Sequence, residues 1–317
     1  VSADDGRWAV VVVNYGSSAL LETNLAATVA EAEPDIVVVV DNPTTGAERE
    51  RVRDLSRREH WTLIEPDVNT GFGGGVNLGV AAAVEAGATG LLLLNPDARI
   101  DGDAVGTLRR ATEDSPLALC APRILTPGGS VWFAGSDVSL VDGRTRSHAK
   151  RAQYPGEETW EWLTGACLWF TAALWHVTGG FDEDYFLYWE DVDFSRRVVA
   201  AGGTLRVVTD SVAVHDEGAT HRSRRQTNRS KSETYYYFNI RNRMLFATRF
   251  LDDEGIRRWR AGVTASAREV ILRGGRAQLL RSPAPWRAYL RGVRDARRIA
   301  DEGLRPDGDG VTPASRG

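Results

Sequence analysis

The chain has 317 residues, 42% of them hydrophobic, and a formal net charge of -4, enough apolar material for one large domain with an appendage or for two domains. The acidic balance excludes a nucleic-acid binder of the electrostatic kind. Cys120 and Cys167 are the only cysteines and form no CxxC pair, so they imply neither a disulfide framework nor a zinc ribbon.

Residues 1–7 are polar and lead into no apolar h-region, which predicts no secretory leader. The longest apolar stretch, residues 163–175, is interrupted by Thr164, Gly165 and Thr171 and is too short to span a bilayer. The expectation is a cytoplasmic protein, soluble or peripheral on a membrane.

In chain order, residues 8–13 form a valine-rich run ending at Asn14-Tyr15-Gly16, and residues 20–33 follow with a helical pattern. A second β-branched run, 36–40, ends at Asp41-Asn42-Pro43, and a third, 61–64, ends near Asn69. Apolar strands alternating with helices predict a parallel α/β sheet. Ligands bind beyond the carboxyl ends of such strands, where Asn14, Asp41 and Asn69 fall. Asp41 reads either as a turn former or as a carboxylate accepting a hydrogen bond from a base or ribose.

The stretch from Asn69 to Gly79 is glycine-rich but fits no GxGxxG register, and neither of the two lysines, Lys150 and Lys231, follows a glycine. A dinucleotide fingerprint and a P-loop are thereby excluded. The glycines read as sites where backbone approaches a diphosphate or a neighbouring strand, with a helix over 75–86 and Asn77 in its first turn. Residues 91–94 predict a fourth buried strand ending at Asn95-Pro96-Asp97. A carboxylate at a rigid strand end suits a divalent cation held jointly with substrate phosphates, or else a turn and cap ahead of a helix over 101–113.

Residues 118–124 predict another strand, followed by a turn at 126–130 and a polar loop at 136–154 suited to an acceptor-side flap. Trp132, Trp160, Trp162 and Trp169 read either as core or as faces that stack on sugars. Residues 179–197 then gather Asp182, Glu183, Asp184, Glu190, Asp191 and Asp193 among aromatics, ending in Arg196-Arg197. Carboxylates in so apolar a context are too costly to bury unpaired, which marks a site. In a helix over 189–198, Asp193 and Arg197 share a face at i, i+4 while Asp191 points elsewhere, towards a pocket at the helix start. An apolar run at 207–214 ends at His215.

Taken together, strand-end Asp41, the glycine loop, Asn95-Pro96-Asp97 and the Gly179-Gly180-Phe181-Asp182-Glu183 to Trp189-Glu190-Asp191-Val192-Asp193 stretch resemble the GT-A nucleotide-sugar glycosyltransferases of family 2, rhamnosyltransferase-like branch. The resemblance runs from about residue 9 to about residue 246. It implies a GT-A α/β fold with a Rossmann-like, mostly parallel sheet. It further implies metal-dependent inverting transfer of a sugar, dTDP-rhamnose being the first donor and a UDP-hexose or UDP-galactofuranose the alternative, to a hydroxyl of a glycan or lipid-linked glycan. A catalytically silent nucleotide-sugar-binding protein is the rival reading.

By resemblance, Asp191, paired with Glu190, is the general base. Asn14, Tyr15, Asp41, Asn69, Gly71, Phe72, Asn77, Asn95 and Asp97 line the donor side, with Asp41 on the base. Trp162, Gly165 and Trp189 lie on the acceptor or sugar side, and Asp97 with His215 holds Mg2+ or Mn2+. Asn95 stands where the commoner metal element has its first acid, and Thr171-Ala172-Ala173 stands where many relatives carry arginines. A segment with His221, Arg222, Arg224, Arg225 and Arg229 is expected to close over the diphosphate, and Arg241 to contact the site region.

The domain expectation is a catalytic domain over 1–250, an arginine-rich helical extension over 251–304 and a disordered tail over 305–317. From residue 251 onward fourteen arginines face nine acids. Trp286, Leu290, Val293 and Ile299 mark one helical face, and Arg287, Arg291, Arg294 and Arg298 another. Such a helix either lies on an anionic membrane or packs on the catalytic domain with its arginines in water.

Overall fold

The computed structural model describes residues 6–216 and 231–305. The segment from His221 to Arg229 and the tail beyond residue 305 lie outside the described residues. Two compact units emerge: residues 1–138 with 145–226, and residues 139–144 with 227–317. The long helix at 233–250 falls in the second unit.

In the first unit the elements run β1 (Trp8–Asn14), α1 (Ser18–Leu20), a π-helical turn (Leu21–Leu25), α2 (Ala26–Ala32), β2 (Ile36–Asp41), α3 (Gly46–Arg58), β3 (Thr62–Ile64), α4 (Gly71–Glu85) and β4 (Gly90–Leu94). They continue with β5 (Ala98–Ile100), α5 (Gly102–Glu113), β6 (Ala118–Leu125), β7 (Val131–Phe133), β8 (Ser136–Ser139), β9 (Thr145–Ser147), β10 (Thr159–Trp162), β11 (Cys167–Thr171), α6 (Ala172–Thr178), α7 (Glu190–Ala200) and β12 (Thr204–His215).

The main sheet has the order β3-β2-β1-β4-β11-β6-β12-β5, with β7 on β6, and a smaller sheet has the order β10-β8-β9. Strands β3, β2, β1 and β4 are parallel, while β11 runs antiparallel to both β4 and β6. Every residue of β1, β2 and β4 is buried, as strands covered on both faces require.

The helix expected from residue 75 starts at Gly71, so Asn77 lies beyond its first turn. Its glycines answer the open question about close approach. A Cβ on Gly75 would stand 2.7 Å from Val13 Cγ1, and one on Gly79 would press on Val11 and Val40. Both therefore seat α4 directly on the sheet. The polar flap expected over 136–154 is instead the β8–β9 hairpin followed by a 3-10 turn, His148–Gln153. The apolar run before His215 is part of a longer strand, β12, whose register against β6 shifts between Val208 and Val212.

The second unit comprises α8 (Glu233–Phe250), α9 (Asp253–Ala261), α10 (Val263–Leu272), α11 (Ala277–Arg281) and α12 (Ala284–Gly303), around buried Tyr236, Phe246 and Trp259. The Trp259 indole donates to Leu140 O at 2.9 Å. The Arg243 guanidinium donates to Asp142 O and lies 4.7 Å from the Trp259 ring. Burial pulls the Arg243 pKa down to about 10. The apolar face expected on α12 packs only in part, through Val293 and half-buried Ile299. Ala288, Gly292, Ala296 and Ala300 are buried with Val293, whereas Trp286 and Leu290 are 46% and 66% exposed. Small side chains let α12 approach α8 closely, a Cβ on Gly292 meeting Ile240 Cβ at 2.9 Å.

Candidate active site

The site is built at the carboxyl ends of the strands. Parallel register sets Asn14 at the end of β1 beside Asp41 at the end of β2, and Asn14 Nδ2 donates to Asp41 Oδ1 at 2.7 Å. Asp41 is buried, and its Oδ2, 3.8 Å from Arg49 Nε, has no hydrogen-bond donor. Burial raises its pKa against the opposing Asn14 hydrogen bond and Arg49 charge. A buried acceptor left open in this way is expensive and suits a donor N–H supplied by a ligand. Tyr15, next in the chain, is 51% exposed.

Asn42, read from the sequence as part of a turn, fastens the glycine segment to β2. Its Oδ1 accepts from Thr70 N at 2.8 Å, and its Nδ2 donates to Gly71 O at 3.1 Å. Asn69 Oδ1 in turn accepts from Gly71 N at 2.9 Å. Gly71 has φ +74, and a Cβ there would overlap the carbonyl of Phe186.

That carbonyl belongs to a γ-turn. Phe186 has φ 61 and ψ -53, Leu187 N donates to Tyr185 O at 2.7 Å, and Phe186 O accepts from Phe72 N at 2.8 Å. Tyr188 and Trp189 also have positive φ, 66 and 76, so three bulky residues hold left-handed backbone just before Glu190, at about 1–3 kcal/mol each. Nothing in their side chains announces this, because the conformation is imposed by the elements on either side. Trp189, expected on the sugar side, is buried at the start of α7 and presents no exposed stacking face.

Asn77, expected on the donor side, is occupied elsewhere. Its Nδ2 donates to Phe181 O and Glu183 Oε1, both at 2.9 Å, and its Oδ1 accepts from Phe181 N at 2.9 Å. It clamps the segment leading to α7 onto α4, with both amide hydrogens committed to it. Phe72 packs edge-on against Phe181, with centroids 6.1 Å apart.

Asp191 Oδ2 accepts from Gly165 N at 3.1 Å, and its Oδ1 from Val192 N at 2.9 Å. Gly165 leaves room for Phe72, since a Cβ would stand 3.0 Å from Phe72 Cε1. The residue is half-buried, with protein around its carboxylate. Burial pushes its pKa up to about 6 against the pull of its backbone N–H donors. Glu190 is driven further. Burial and the Asp191 charge raise its pKa well above the carboxylate range, and its Oε2 has no hydrogen-bond partner. The expected i, i+4 pair is present, Arg197 Nε donating to Asp193 Oδ2 at 2.6 Å.

Asn95 N donates to Ala166 O at 2.9 Å, which ties the end of β4 to the Gly165 segment. Antiparallel pairing of His215 with Ala98 then brings His215 Nε2 to 3.0 Å from Asp97 Oδ1. The two are buried but not aligned as a hydrogen bond, and neither His215 nitrogen has a hydrogen-bond partner. An imidazole and a carboxylate converging without bonding each other fit a divalent cation.

The Trp132 ring packs 4.3 Å from the His215 ring, a pairing that no sequence spacing announces. Phe133 leads on to Trp162 at 5.8 Å, and the buried Trp162 Nε1 has no acceptor. Trp169 is core, its Nε1 donating to Thr112 Oγ1 at 3.0 Å. Arg241 lies in the second unit and donates to Asn242 Oδ1 at 2.7 Å.

A different acid group, Asp137, His148 and Glu161, has ligand atoms within 4.8 Å of one another. Arg151 already sits among them, donating to Asp137 at 2.7 Å and to Glu161, so this group is an ion-pair cluster. Its members come from a hairpin, a turn and a strand, and no sequence spacing announces it.

No family model matches the chain. It is 29% identical over 231 residues to the N-acetylglucosaminyl-diphospho-decaprenol L-rhamnosyltransferase of Mycobacterium tuberculosis, covering 65% of this chain and 75% of that one. Over 208 residues it is 22% identical to the dTDP-rhamnosyl transferase RfbF of Shigella flexneri, covering 66% and 68%.

Among solved structures, GalNAc-T7 with UDP, GalNAc and Mn2+ superposes with a TM-score of 0.56 at 15% identity, covering 82% of this chain and 55% of that one. The mannosyltransferase PcManGT from Pyrobaculum calidifontis, in complex with GDP-Man and Mn2+, gives 0.51 at 16% identity, covering 94% and 87%. These likenesses establish the fold.

Proposed function

We propose that this chain, a glycosyltransferase of the GT-A fold related to the family 2 rhamnosyl- and hexosyltransferases, moves a sugar from a nucleoside diphosphate donor to a hydroxyl of a glycan or lipid-linked glycan. The transfer inverts the anomeric centre, and dTDP-rhamnose is the favoured donor. The observation that carries the reading is Asp191. It is fixed by two backbone N–H donors, keeps some exposed surface and titrates near neutrality with a pKa of about 6, as a general base must.

Asp191 takes the proton of the acceptor hydroxyl while that oxygen attacks the anomeric carbon on the face opposite the leaving diphosphate. Its neighbour Glu190, driven towards the neutral acid, donates from Oε2, the oxygen that lacks a protein partner, to a sugar hydroxyl. Asp41 Oδ2 accepts the imide N–H of a thymine or uracil base. Asp97 and His215 hold a divalent cation, which when bound supplies positive charge to the diphosphate. The indole N–H of Trp162 and the face of Phe72 border the sugar.

The relatives named for rhamnosyl transfer favour dTDP-rhamnose, whereas a pyrimidine-reading carboxylate alone suits dTDP and UDP equally. The test is nucleotide release across dTDP- and UDP-sugars with and without Mn2+, wild type against Asp191→Asn. The expected result is Mn2+-dependent turnover of dTDP-rhamnose by the wild type and binding without turnover by the variant. Preference for a UDP-sugar overturns the donor, equal rates in both proteins overturn the base, and no binding of any nucleotide overturns the function.

A further inference from the structure

We propose that the outer face of α11 and α12 docks on an anionic bilayer surface. Because α12 packs mainly through its small residues, large apolar side chains remain outside. Leu280 is 92% exposed, Leu290 66% and Trp286 46%. They form one neighbourhood, since the Trp286 indole donates to Leu279 O at 3.0 Å. Leu290 shares a shallow groove with Arg294, Arg297, Arg298 and Arg305 and with one acid, Asp301, which Arg260 pairs at 2.7 Å.

Residues 273–305 carry nine arginines against three acids, Asp295, Asp301 and Glu302. Glu233 answers two of them, Arg287 and Arg291, at 3.2 and 3.8 Å, Asp295 takes Arg294, and Glu302 lies 3.4 Å from Arg298. The remaining surplus is positive, and it flanks leucine and tryptophan rather than polar residues. Apolar groups that immerse in the acyl boundary, ringed by arginines that meet lipid phosphates, are what an interfacial helix presents. Among the described residues no helix is long and apolar enough to cross a membrane, so the contact is superficial. The inference deepens the proposed function by supplying a surface on which a lipid-linked acceptor is met, and rests on that reading only for this consequence.

The experiment is co-sedimentation of the full chain with phosphatidylcholine vesicles and with vesicles containing one quarter phosphatidylglycerol, at low and high salt. The variants are Leu280→Ser/Trp286→Ser/Leu290→Ser and Arg294→Gln/Arg297→Gln/Arg298→Gln. The wild type is expected to bind the anionic vesicles with a blue shift of tryptophan emission. The serine variant should lose binding and the blue shift at both salt concentrations. The glutamine variant should lose the preference for anionic lipid, about five-fold in affinity per arginine. Circular dichroism and donor turnover in solution confirm that both variants are folded.

A wild type that stays in the supernatant overturns the proposal. So does a serine variant that binds undiminished, which puts the contact on another face. A wild-type dimer that the serine variant dissolves, without vesicle binding, makes the patch a self-interface and also overturns it. Vesicle binding retained in a protein that turns over no nucleotide sugar would sink the proposed function and leave this inference standing.

Discussion

Gly71→Ala is the substitution whose consequence is most fully set by the structure. Residue 71 has φ +74, and a Cβ there would lie 2.8 Å from both the carbonyl carbon and Cδ2 of Phe186, and nearer still to the carbonyl oxygen. Carbon–carbon contacts settle at about 3.5–4.0 Å, so the Phe186 backbone must retreat by about 1 Å. Left-handed backbone adds about 1–2 kcal/mol for an L-residue, and overpacking about 1–3 kcal/mol. The midpoint of thermal unfolding should therefore fall by about 5–15 °C.

The retreat breaks the Phe72 N to Phe186 O bond and releases the left-handed segment that leads straight into Glu190 and Asp191. Misplacing a catalytic group by about 1 Å costs about 10²-fold in rate. Saturating-donor kinetics should show that loss in kcat, with KM for the donor within a few-fold of wild type because Asp41 and its partners are not moved. The control is Gly106→Ala, inside α5, where the nearest atom is the tip of Arg110 at 3.4 Å. It should gain about 0.5–1 kcal/mol at unchanged kcat. A Gly71→Ala enzyme with wild-type kcat would refute the reasoning that the Phe186 turn places the base.

Two further outcomes follow from the same geometry. Because burial raises the Asp191 pKa to about 6, kcat should rise with pH through about 6 and level off above it. The same shift means that the native state binds more protons than the unfolded chain between the ordinary carboxylate pKa and about 6, so this group's contribution to stability declines as pH rises through that window. A rate flat from pH 5 to 8 would remove Asp191 as base. Trp132→Ala should weaken Mn2+ binding about 10-fold or more, followed by the paramagnetic resonance signal of free Mn2+ in the presence of dTDP. His215 lacks the hydrogen bond that usually orients a ligating imidazole and is held by the Trp132 ring. Unchanged Mn2+ affinity in this variant, with loss in His215→Ala, would show that the ring needs no such support.

The strands and their polar ends were legible in the sequence because the signal is local. Valine- and leucine-rich runs bury on both faces, Asn14 and Asp41 close β1 and β2, and Asp97 lies just beyond β4, so strand position alone places these residues at the carboxyl edge of the sheet. The Asp193–Arg197 pair followed from helical spacing in the same way. Only the tertiary structure decided the rest, because it depends on which distant segments touch. The glycines of 71–79 serve helix–sheet and loop contacts, and Asn77 spends its amide on Phe181 and Glu183. Glu190 and Asp191, adjacent in the chain, receive different environments, one with an unsatisfied Oε2 and the other with both oxygens held, by Gly165 and Val192. The outer helix, whose larger apolar residues suggest one packing face, buries its alanines and only part of that face, since close approach to α8 excludes large side chains and leaves Trp286 and Leu290 to the solvent side.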